Sequence, residues 1–362
     1  MSGKRKRDID VFMEAFQLSH QERIAFLDCA CAGDKDLRRS MEALLKSNDQ
    51  LGDFLEAAPT AVIGKARVKS RAGENLGDRV DRYTLLQQIG EGGCGIVFMA
   101  EQERPVRRPV ALKVIKAGMD TKAVIARFEA ERQALALMDH PNIARVFDAG
   151  ATESGRPYFV MELVDGIKIT DYCDSHSLSI SGRLELFVQV CDAIQHAHQK
   201  GIIHRDIKPS NILVTTEADA KPMPKVIDFG IAKATAGQQL TDKTVFTTHE
   251  MLIGTPAYMS PEQAALTSTE LDTRTDVYSL GVLLYELLTG TTPVDARELL
   301  KSGFDEVRRV VRDVEAVRPS TRLREMNGGD FAEVCRRRQA GPSGLIRQIR
   351  GDLDSIVMMA LE

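Results

Sequence analysis

This sequence has no C-x-x-C pair, no net positive charge and no long apolar run. The six cysteines form no C-x-x-C pair, which excludes the common zinc modules and a disulfide framework. The longest strongly apolar window, residues 280–288, is too short to span a bilayer, and no apolar stretch follows the basic residues 1–7 as it would in a signal peptide. The formal net charge of −4 gives no general attraction to nucleic acid. These absences predict a cytoplasmic protein with no nucleic-acid partner.

The composition is that of a folded protein, since 43% of the 362 residues are apolar and 28% are charged. This length predicts two or three structural units. Helical spacing of apolar residues predicts a short helical N-terminal extension over residues 1–56. Small and basic residues then predict a linker over residues 57–80, followed by one main domain over residues 81–362.

The pattern of the main domain changes near residue 165. Residues 81–164 contain short β-type runs interrupted by one helix, whereas residues 165–362 show mostly helical spacing, with the longest stretches at 184–198 and 277–288. The predicted fold class is therefore α+β, with a small β-rich N-lobe and a larger, mainly helical C-lobe. We interpret the arginine-rich residues 297–350 as irregular, forming either an anion-binding surface or an ordinary solvated face.

Three glycines lie between two predicted strands. Gly90, Gly92 and Gly95, followed by Val97, form the pattern G-x-G-x-x-G-x-V. Glycine allows backbone N–H groups to approach phosphate oxygens closely, because no Cβ stands in the way. A dinucleotide-binding fold would place such glycines before a helix, but here residues 96–100 continue as a strand. A plain hairpin turn is the alternative.

A lysine interrupts the next apolar strand, V-A-L-K at residues 110–113. Burying an ammonium without a partner costs several kcal/mol, so Lys113 must reach solvent or meet an anion. The helical stripe at residues 124, 128, 131 and 135 places the carboxylate of Glu131 on its inward face. A Glu131–Lys113 pair is predicted, which either aims the ammonium at bound phosphates or is purely structural.

The most specific motifs come later in the chain. They are H-R-D-I-K-P-S-N at 204–211, D-F-G at 228–230, G-T-P at 254–256 and S-P-E at 260–262. Their order and spacing resemble the protein kinase superfamily, and within it the bacterial eukaryotic-like (Hanks-type) serine/threonine kinases. The resemblance covers about residues 82–362 and implies a bilobal protein kinase fold. It also implies transfer of the γ-phosphate of ATP to Ser or Thr hydroxyls of proteins, with Mg²⁺ or alternatively Mn²⁺ as the metal.

Catalysis of phosphoryl transfer depends mainly on positioning the reactants and neutralising their negative charge, which explains the charged residue types. By the resemblance, Asp206 accepts the proton of the substrate hydroxyl, and Asn211 and Asp228 hold the metal. Lys113, oriented by Glu131, would contact the α- and β-phosphates.

Two further residues point to the serine/threonine branch. Lys208, two residues after the catalytic Asp, would neutralise the transferred phosphate, and tyrosine kinases place this cation elsewhere. Thr255 would support Asp206 and Lys208 from the substrate-binding loop.

The resemblance also implies an adenine pocket between the lobes. Apolar side chains would form its walls, Met161 would close its rear, and backbone groups between the lobes would bind the base. Core packing describes the apolar members equally well. The set is Val97, Ala111, Met161, Glu162, Leu163, Val164 and Leu213.

Regulation is predicted in the threonine-rich loop between residues 230 and 254. The hypothesis is autophosphorylation at Thr247 or Thr248, with Thr244 as a further candidate, and pairing of the phosphate with Arg205. The alternative is a loop that is merely polar.

Three positions depart from the family pattern. Cys94 stands at the glycine-loop tip where an aromatic residue is usual, and Ser260 replaces an alanine. The usual arginine partner of Glu262 would follow residue 362, so the chain is expected to be a truncated piece of a longer protein.

Two other functions are alternatives: a pseudokinase-type scaffold that binds nucleotide without transfer, and a small-molecule kinase. The presence of all the charged catalytic residues argues against the first, and the peptide-docking segment 254–262 argues against the second. Expected partners are protein substrates and a second copy, bound through the N-lobe or the N-terminal helices. Membrane contact is expected only through a region beyond residue 362.

Overall fold

The computed structural model describes residues 75–92, 95–115, 138–216, 221–229, 256–265, 272–294 and 304–362, together with Arg38. The chain divides into two compact units, residues 1–66 and 67–362. Apart from Arg38, every described residue lies in the second unit. The helices predicted for residues 1–56 and the helix that carries Glu131 lie outside the described residues.

A six-stranded antiparallel sheet forms the first part of the described domain. Its spatial order is β1-β2-β3-β4-β6-β5. The strands are β1 Arg79–Val80, β2 Tyr83–Gly92, β3 Gly95–Gln102, β4 Arg108–Ile115, β5 Val146–Ala151 and β6 Pro157–Glu162. The predicted β-rich N-lobe is confirmed, whereas its bounds at residues 81 and 164 stay a prediction.

Alternation explains how this sheet buries one face. Along β3, Ile96, Phe98 and Ala100 are fully buried, whereas Val97 and Met99 between them are half-buried. Side chains alternate between the two faces of a strand, so the first set packs in the sheet's own core and the second faces the cleft side. That core is continuous with Leu112 and Val160 on the neighbouring strands.

A smaller antiparallel sheet and a set of helices follow. The small sheet has the order β7-β8-β9, with β7 Ile167–Lys168, β8 Ile212–Thr215 and β9 Met223–Val226. The first helices are α1 Ile169–Ser175, α2 Ile180–Gln199, α3 Pro261–Ala265 and α4 Thr273–Thr289. The later ones are α5 Phe304–Asp313, α6 Pro319–Glu325, α7 Gly328–Arg337, α8 Pro342–Ile349 and α9 Asp352–Ala360. The predicted mainly helical C-lobe is confirmed.

The two long helices begin and end at residues suited to those positions. The Ser179 side chain accepts a hydrogen bond from the Gly182 amide at the start of α2, and Asp272 accepts one from the Arg274 amide at the start of α4. Helix α4 ends at Gly290, whose φ of +82° favours glycine. Both helices bury their apolar faces in one core with the small sheet.

The interpretation of residues 297–350 as irregular is wrong for the part that is described. From residue 304 onward this stretch forms the helices α5 to α8. Its apolar residues are too few to give an obvious helical period, but arginine itself favours helices. Local start signals were also present, because Asn327 accepts a hydrogen bond from the Asp330 amide and prolines open α6 and α8. Within the described part of the chain, none of the helices combines the length and apolarity needed to cross a membrane.

Candidate active site

The loop between α2 and β8 brings Asp206 and Asn211 together. The Asn211 side-chain amide donates to the Asp206 backbone carbonyl at 2.8 Å and to Asp206 Oδ2 at 3.1 Å. The same carboxylate oxygen lies 2.9 Å from Lys208 Nζ. The short 3₁₀ turn Pro209–Asn211 closes the loop and delivers Asn211 to this position, with its backbone leading directly into β8. A carboxylate, an ammonium and an amide therefore converge at one place.

His204 fixes the backbone of this loop. Its Nδ1 accepts a hydrogen bond from the Asp206 amide at 3.2 Å, and its Nε2 lies 3.2 Å from the Ile227 carbonyl, to which it donates. Burial lowers the pKa of His204 below its ordinary value, although the nearby carboxylates of Asp276, Asp206 and Asp228 oppose this effect. The imidazole is therefore held in its neutral form, with the proton on Nε2.

The D-F-G segment meets this loop from the other side. The Ile227 amide donates to the Asn211 carbonyl at 2.9 Å. This hydrogen bond holds the D-F-G segment next to Asn211. Asp228 has a φ of +60°, an uncommon value for a residue with a side chain. Backbone strain of this kind is concentrated at functional sites.

Lys113 reaches this site from β4. It forms an ion pair with Asp228 Oδ1, and its side chain is only 12% exposed. The predicted pair of Lys113 with Glu131 stays a prediction, because Glu131 lies outside the described residues. The structure thus brings together five predicted residues, which are Lys113, Asp206, Lys208, Asn211 and Asp228.

Gly90 and Gly92 lie on β2 and Gly95 lies on β3, so these glycines precede a strand and not a helix, as predicted. Gly90 pairs with Val97, and Gly92 pairs with Gly95. A Cβ on Gly95 would come within 2.4 Å of the Val114 carbonyl oxygen, so this position accepts only glycine. The tip residue Cys94 lies outside the described residues.

The predicted adenine-pocket residues lie on adjoining strands and on the segment that leaves the large sheet. Ala111 pairs with Met161 across β4 and β6, and Leu213 pairs with Lys168. Ala111 is buried, while the other apolar members are half-buried, as expected for side chains at the edge of a cleft. The half-buried members are Val97, Met161, Leu163, Val164 and Leu213, and Glu162 is half-buried as well.

Glu162 does more than the sequence analysis foresaw. Its side chain forms a 2.7 Å ion pair with Lys225 of β9 and accepts a 3.2 Å hydrogen bond from the Arg145 amide. Because Lys225 lies three residues before Asp228, this contact connects the end of β6 to the strand that precedes D-F-G. The sequence offered no spacing rule that would pair two residues so far apart.

Asp276 is the functional residue that sequence reasoning missed. It is fully buried near the start of α4, and its carboxylate accepts hydrogen bonds of 2.8 Å from the backbone amides of both His204 and Arg205. His198 Nε2 lies 2.7 Å from the same carboxylate. An acidic residue at the start of an apolar helix was the available signal, since such residues are rarely buried without partners.

Gln263, the residue after the S-P-E motif, also helps to hold this loop. Gln263 donates from its side chain to the Arg205 carbonyl at 2.9 Å. Ser260 and Gln263 exchange side-chain and backbone hydrogen bonds at the start of α3, so Ser260 acts as a helix cap in place of the usual alanine. Glu262 accepts a hydrogen bond from Thr275 at 2.6 Å. The predicted site residues Thr244, Thr247, Thr248 and Thr255 lie outside the described residues.

The donor set fits a metal–nucleotide complex. Asn211 directs its amide N–H groups at Asp206, which leaves its Oδ1 and the carboxylate of Asp228 as oxygen ligands of the type that hard divalent cations take. Among the described residues, no group of three or more His, Cys, Asp or Glu side chains forms a separate metal site.

Comparisons with known proteins identify the family of this chain. The sequence matches the protein kinase domain family over residues 83–337. It is 40% identical over 220 residues to the serine/threonine-protein kinase Pkn1 of Myxococcus xanthus, covering 60% of this chain and 30% of that protein. It is 39% identical over 233 residues to the serine/threonine-protein kinase PknB of Mycobacterium leprae, covering 63% of this chain and 36% of that protein.

A solved structure shows the same fold. The kinase domain of Mycobacterium tuberculosis PknI superposes with a TM-score of 0.51 at 24% identity, covering 79% of this chain and 97% of that one. This chain spans only 30% of Pkn1 and 36% of PknB, the two curated relatives named above. Since the family match extends over well more than half of the sequence, the chain belongs to the protein kinase family.

Proposed function

We propose that this chain is a serine/threonine protein kinase, which transfers the γ-phosphate of ATP to Ser and Thr hydroxyls of other proteins. The observation that carries the proposal is the convergence of Asp206, Asn211 and Lys208 beside the Lys113–Asp228 ion pair. Both curated relatives described above are named serine/threonine-protein kinases.

Each residue has a defined task in this proposal. Asp206 accepts the proton of the attacking hydroxyl, and the amide of Asn211 and the ring of His204 hold it in place for that transfer. Lys208 lies within ion-pair distance of Asp206 and supplies positive charge where negative charge develops. Its position two residues after Asp206 supports serine and threonine as the acceptors.

Asn211 and Asp228 would hold Mg²⁺, and Lys113 would hold the phosphates. Mg²⁺–ATP, when bound, supplies the phosphoryl group and neutralises its charge. Mn²⁺ takes the same oxygen donors and is the alternative metal. The half-buried residues around Ala111 and Leu213 would enclose the adenine.

A transfer assay tests the proposal. The chain is incubated with labelled ATP, Mg²⁺ and a basic protein acceptor, in parallel with Asp206→Asn. We expect labelled phosphoserine or phosphothreonine with the unmodified chain, and none with the variant. If both proteins bind nucleotide equally and neither labels an acceptor, the pseudokinase-type scaffold replaces this proposal.

Autophosphorylation of the loop at Thr247 or Thr248, with Thr244 as the further candidate, would regulate the activity. The support is that Arg205 Nε is buried and has no hydrogen-bond partner among the described residues, so a phosphate could satisfy it. Phosphopeptide mapping of the chain after incubation with Mg²⁺–ATP tests this. Active enzyme with no phosphate on any of the three threonines would disprove it.

The proposed activity also predicts the cellular location and the partners of this chain. A cytoplasmic location fits the use of ATP and the free thiols of Cys173, Cys191 and Cys335. Protein substrates are the expected partners. Dimerisation through the N-lobe or the N-terminal helices is part of the proposal, and ultracentrifugation over a concentration series tests it.

A further inference from the structure

Three arginines border one cavity on the surface of the helical region, away from the residues proposed for catalysis. Arg324, Arg347 and Arg350 line a space of about 420 Å³ together with Ser343 and Ile346. We call this the arginine pocket. All three arginines and Ser343 are exposed, and Ile346 is half-buried.

Helix packing explains why these side chains meet. Ser343, Ile346, Arg347 and Arg350 follow the spacing i, i+3, i+4 and i+7, which places them along one stripe of α8 and its end. Helix α6 packs against α8 and contributes Arg324 from its last turn.

Packing beneath the pocket holds the two helices in place. Leu323, Leu345 and Ile349 are fully buried next to the exposed arginines. The pocket is therefore built on anchored backbone rather than on a loose surface.

The positive charge of the pocket is uncompensated within the described residues. Residues 314–350 contain eight arginines, no lysine and four acidic residues. Arg336 and Arg337 share the carboxylate of Glu333, whereas no described carboxylate lies within ion-pair distance of the three pocket arginines. Three like charges held close together repel one another, which an anion would relieve.

The residue types specify the anion. Arginine binds phosphate through two parallel N–H groups, which lysine cannot do, and the exclusive use of arginine here matches that chemistry. The Ser343 hydroxyl adds a donor, and Ile346 offers an apolar contact to the side chain that carries the phosphate. The cavity is in the size range of ligand sites and is larger than a phosphate alone requires.

We propose that the arginine pocket binds a phosphoserine- or phosphothreonine-bearing segment of a protein. Such segments are the products of the proposed function, and in that one respect the identity of the ligand rests on it. The chain's net charge of −4 gives no broad attraction to an anionic membrane, which favours a localised phosphopeptide over a lipid surface. The pocket would then hold proteins that have already been phosphorylated.

Fluorescence anisotropy tests the proposal without relying on catalysis. A fluorescein-labelled peptide with one phosphothreonine and neutral flanking residues is titrated with the full 362-residue chain in the absence of ATP. We expect saturable binding that weakens about tenfold for Arg347→Gln and at least about 100-fold for Arg324→Gln/Arg347→Gln/Arg350→Gln, since a hydrogen bond to a charged group contributes more than 1 kcal/mol. The unphosphorylated peptide should not bind.

A matched control separates the pocket from general charge. Arg312→Gln/Arg318→Gln/Arg336→Gln removes the same number of charges from exposed sites on the neighbouring helices. This variant should bind the phosphopeptide as the unmodified chain does, and circular dichroism checks that both triple variants are folded.

The proposal is overturned if the phosphorylated and unphosphorylated peptides bind equally, or if the control variant loses as much affinity as the pocket variant. It is also overturned if phosphatidylserine vesicles bind through these arginines while the phosphopeptide does not. Because ATP is absent, a chain inactive in the transfer assay can still pass this test, so the two proposals fail separately.

Discussion

Asp276 accepts a 2.8 Å hydrogen bond from the backbone amide of Arg205, a residue whose φ is +64°. A non-glycine residue with this left-handed backbone conformation costs about 1–3 kcal/mol of conformational free energy, and it persists only where the surrounding structure holds it. The Gln263 side chain holds the carbonyl of Arg205 while Asp276 holds its amide. The shape of the loop that presents Asp206 is thus set from α3 and α4, by two residues that lie outside the loop.

Replacing Asp276 should therefore impair catalysis and stability together. Asp276→Ala leaves two buried backbone amides and His198 without their acceptor, and we expect a loss of about 3–5 kcal/mol in the free energy of unfolding. Asp276→Asn retains one acceptor oxygen and should lose less. Urea unfolding and kcat with a fixed acceptor protein measure both effects. A kcat unchanged in a folded Asp276→Ala would show that the loop keeps its shape without this residue.

Lys113→Met should reduce kcat by orders of magnitude from the usual kinase range of about 1–100 per second. The substitution removes the ammonium that pairs with Asp228 but keeps most of the apolar stem, so the unfolding midpoint should change little. Lys221→Met, at an exposed position before β9, is the matched control and should retain full activity. Equal activity of the two variants contradicts the role assigned to Lys113.

Arg338→Met should destabilise the helical region by about 2–5 kcal/mol. The buried guanidinium donates to the carbonyls of Glu286, Leu287 and Leu288 at the end of α4. Methionine removes all three of these hydrogen bonds, although Gly290 still donates to the Glu286 carbonyl and Arg183 to the Leu287 carbonyl. Burial lowers the pKa of Arg338 to about 10, with the nearby Arg183 contributing to the same shift, and the group is still charged at neutral pH. Denaturant midpoints measure the loss.

Arg336→Met serves as the comparison for Arg338, because its side chain is exposed two residues away. Its surface ion pair with Glu333 should contribute less than about 1 kcal/mol. If the two variants unfold at the same denaturant concentration, the buried contacts of Arg338 contribute no more than a surface pair.

His204 should make stability depend on pH. Burial lowers its pKa in the folded state, so the unfolded chain binds this proton more readily. The stabilising contribution is complete above the unfolded pKa of about 6.5 and is lost as the pH falls below it. His204→Gln can still accept from Asp206 and donate to Ile227 but cannot titrate. Its urea midpoint should fall less than that of the unmodified chain between pH 7.5 and 5.5, and equal decreases would refute this origin.

Local patterns in the sequence predicted much of the fold and part of the site. The strand alternation around Lys113, the helical spacing of α2 and α4 and the order of the H-R-D and D-F-G motifs each depend on neighbouring residues, and the fold they predicted is confirmed. The sequence also predicted that Asp206, Asn211 and Asp228 lie in one site, because all three belong to motifs that the resemblance assigns to the same site.

What the sequence could not reveal were contacts that depend on packing between distant segments. Asp276 reaches His204 across 72 residues, and Arg183 reaches the Leu287 carbonyl across 104 residues. No periodicity links such pairs. The helices of residues 304–349 were missed for a related reason: their few apolar residues pack against helices that are distant in the sequence.

Arg338, fully enclosed, and Arg347, facing water, lie only nine positions apart and carry the same functional group. Arg338 binds the end of α4 through buried hydrogen bonds, so its replacement during evolution would weaken the packing of several helices at once. Replacement of Arg347 leaves those buried hydrogen bonds intact, because its side chain is exposed. The outer arginines are therefore open to selection for new partners, while the scaffold beneath them stays constant.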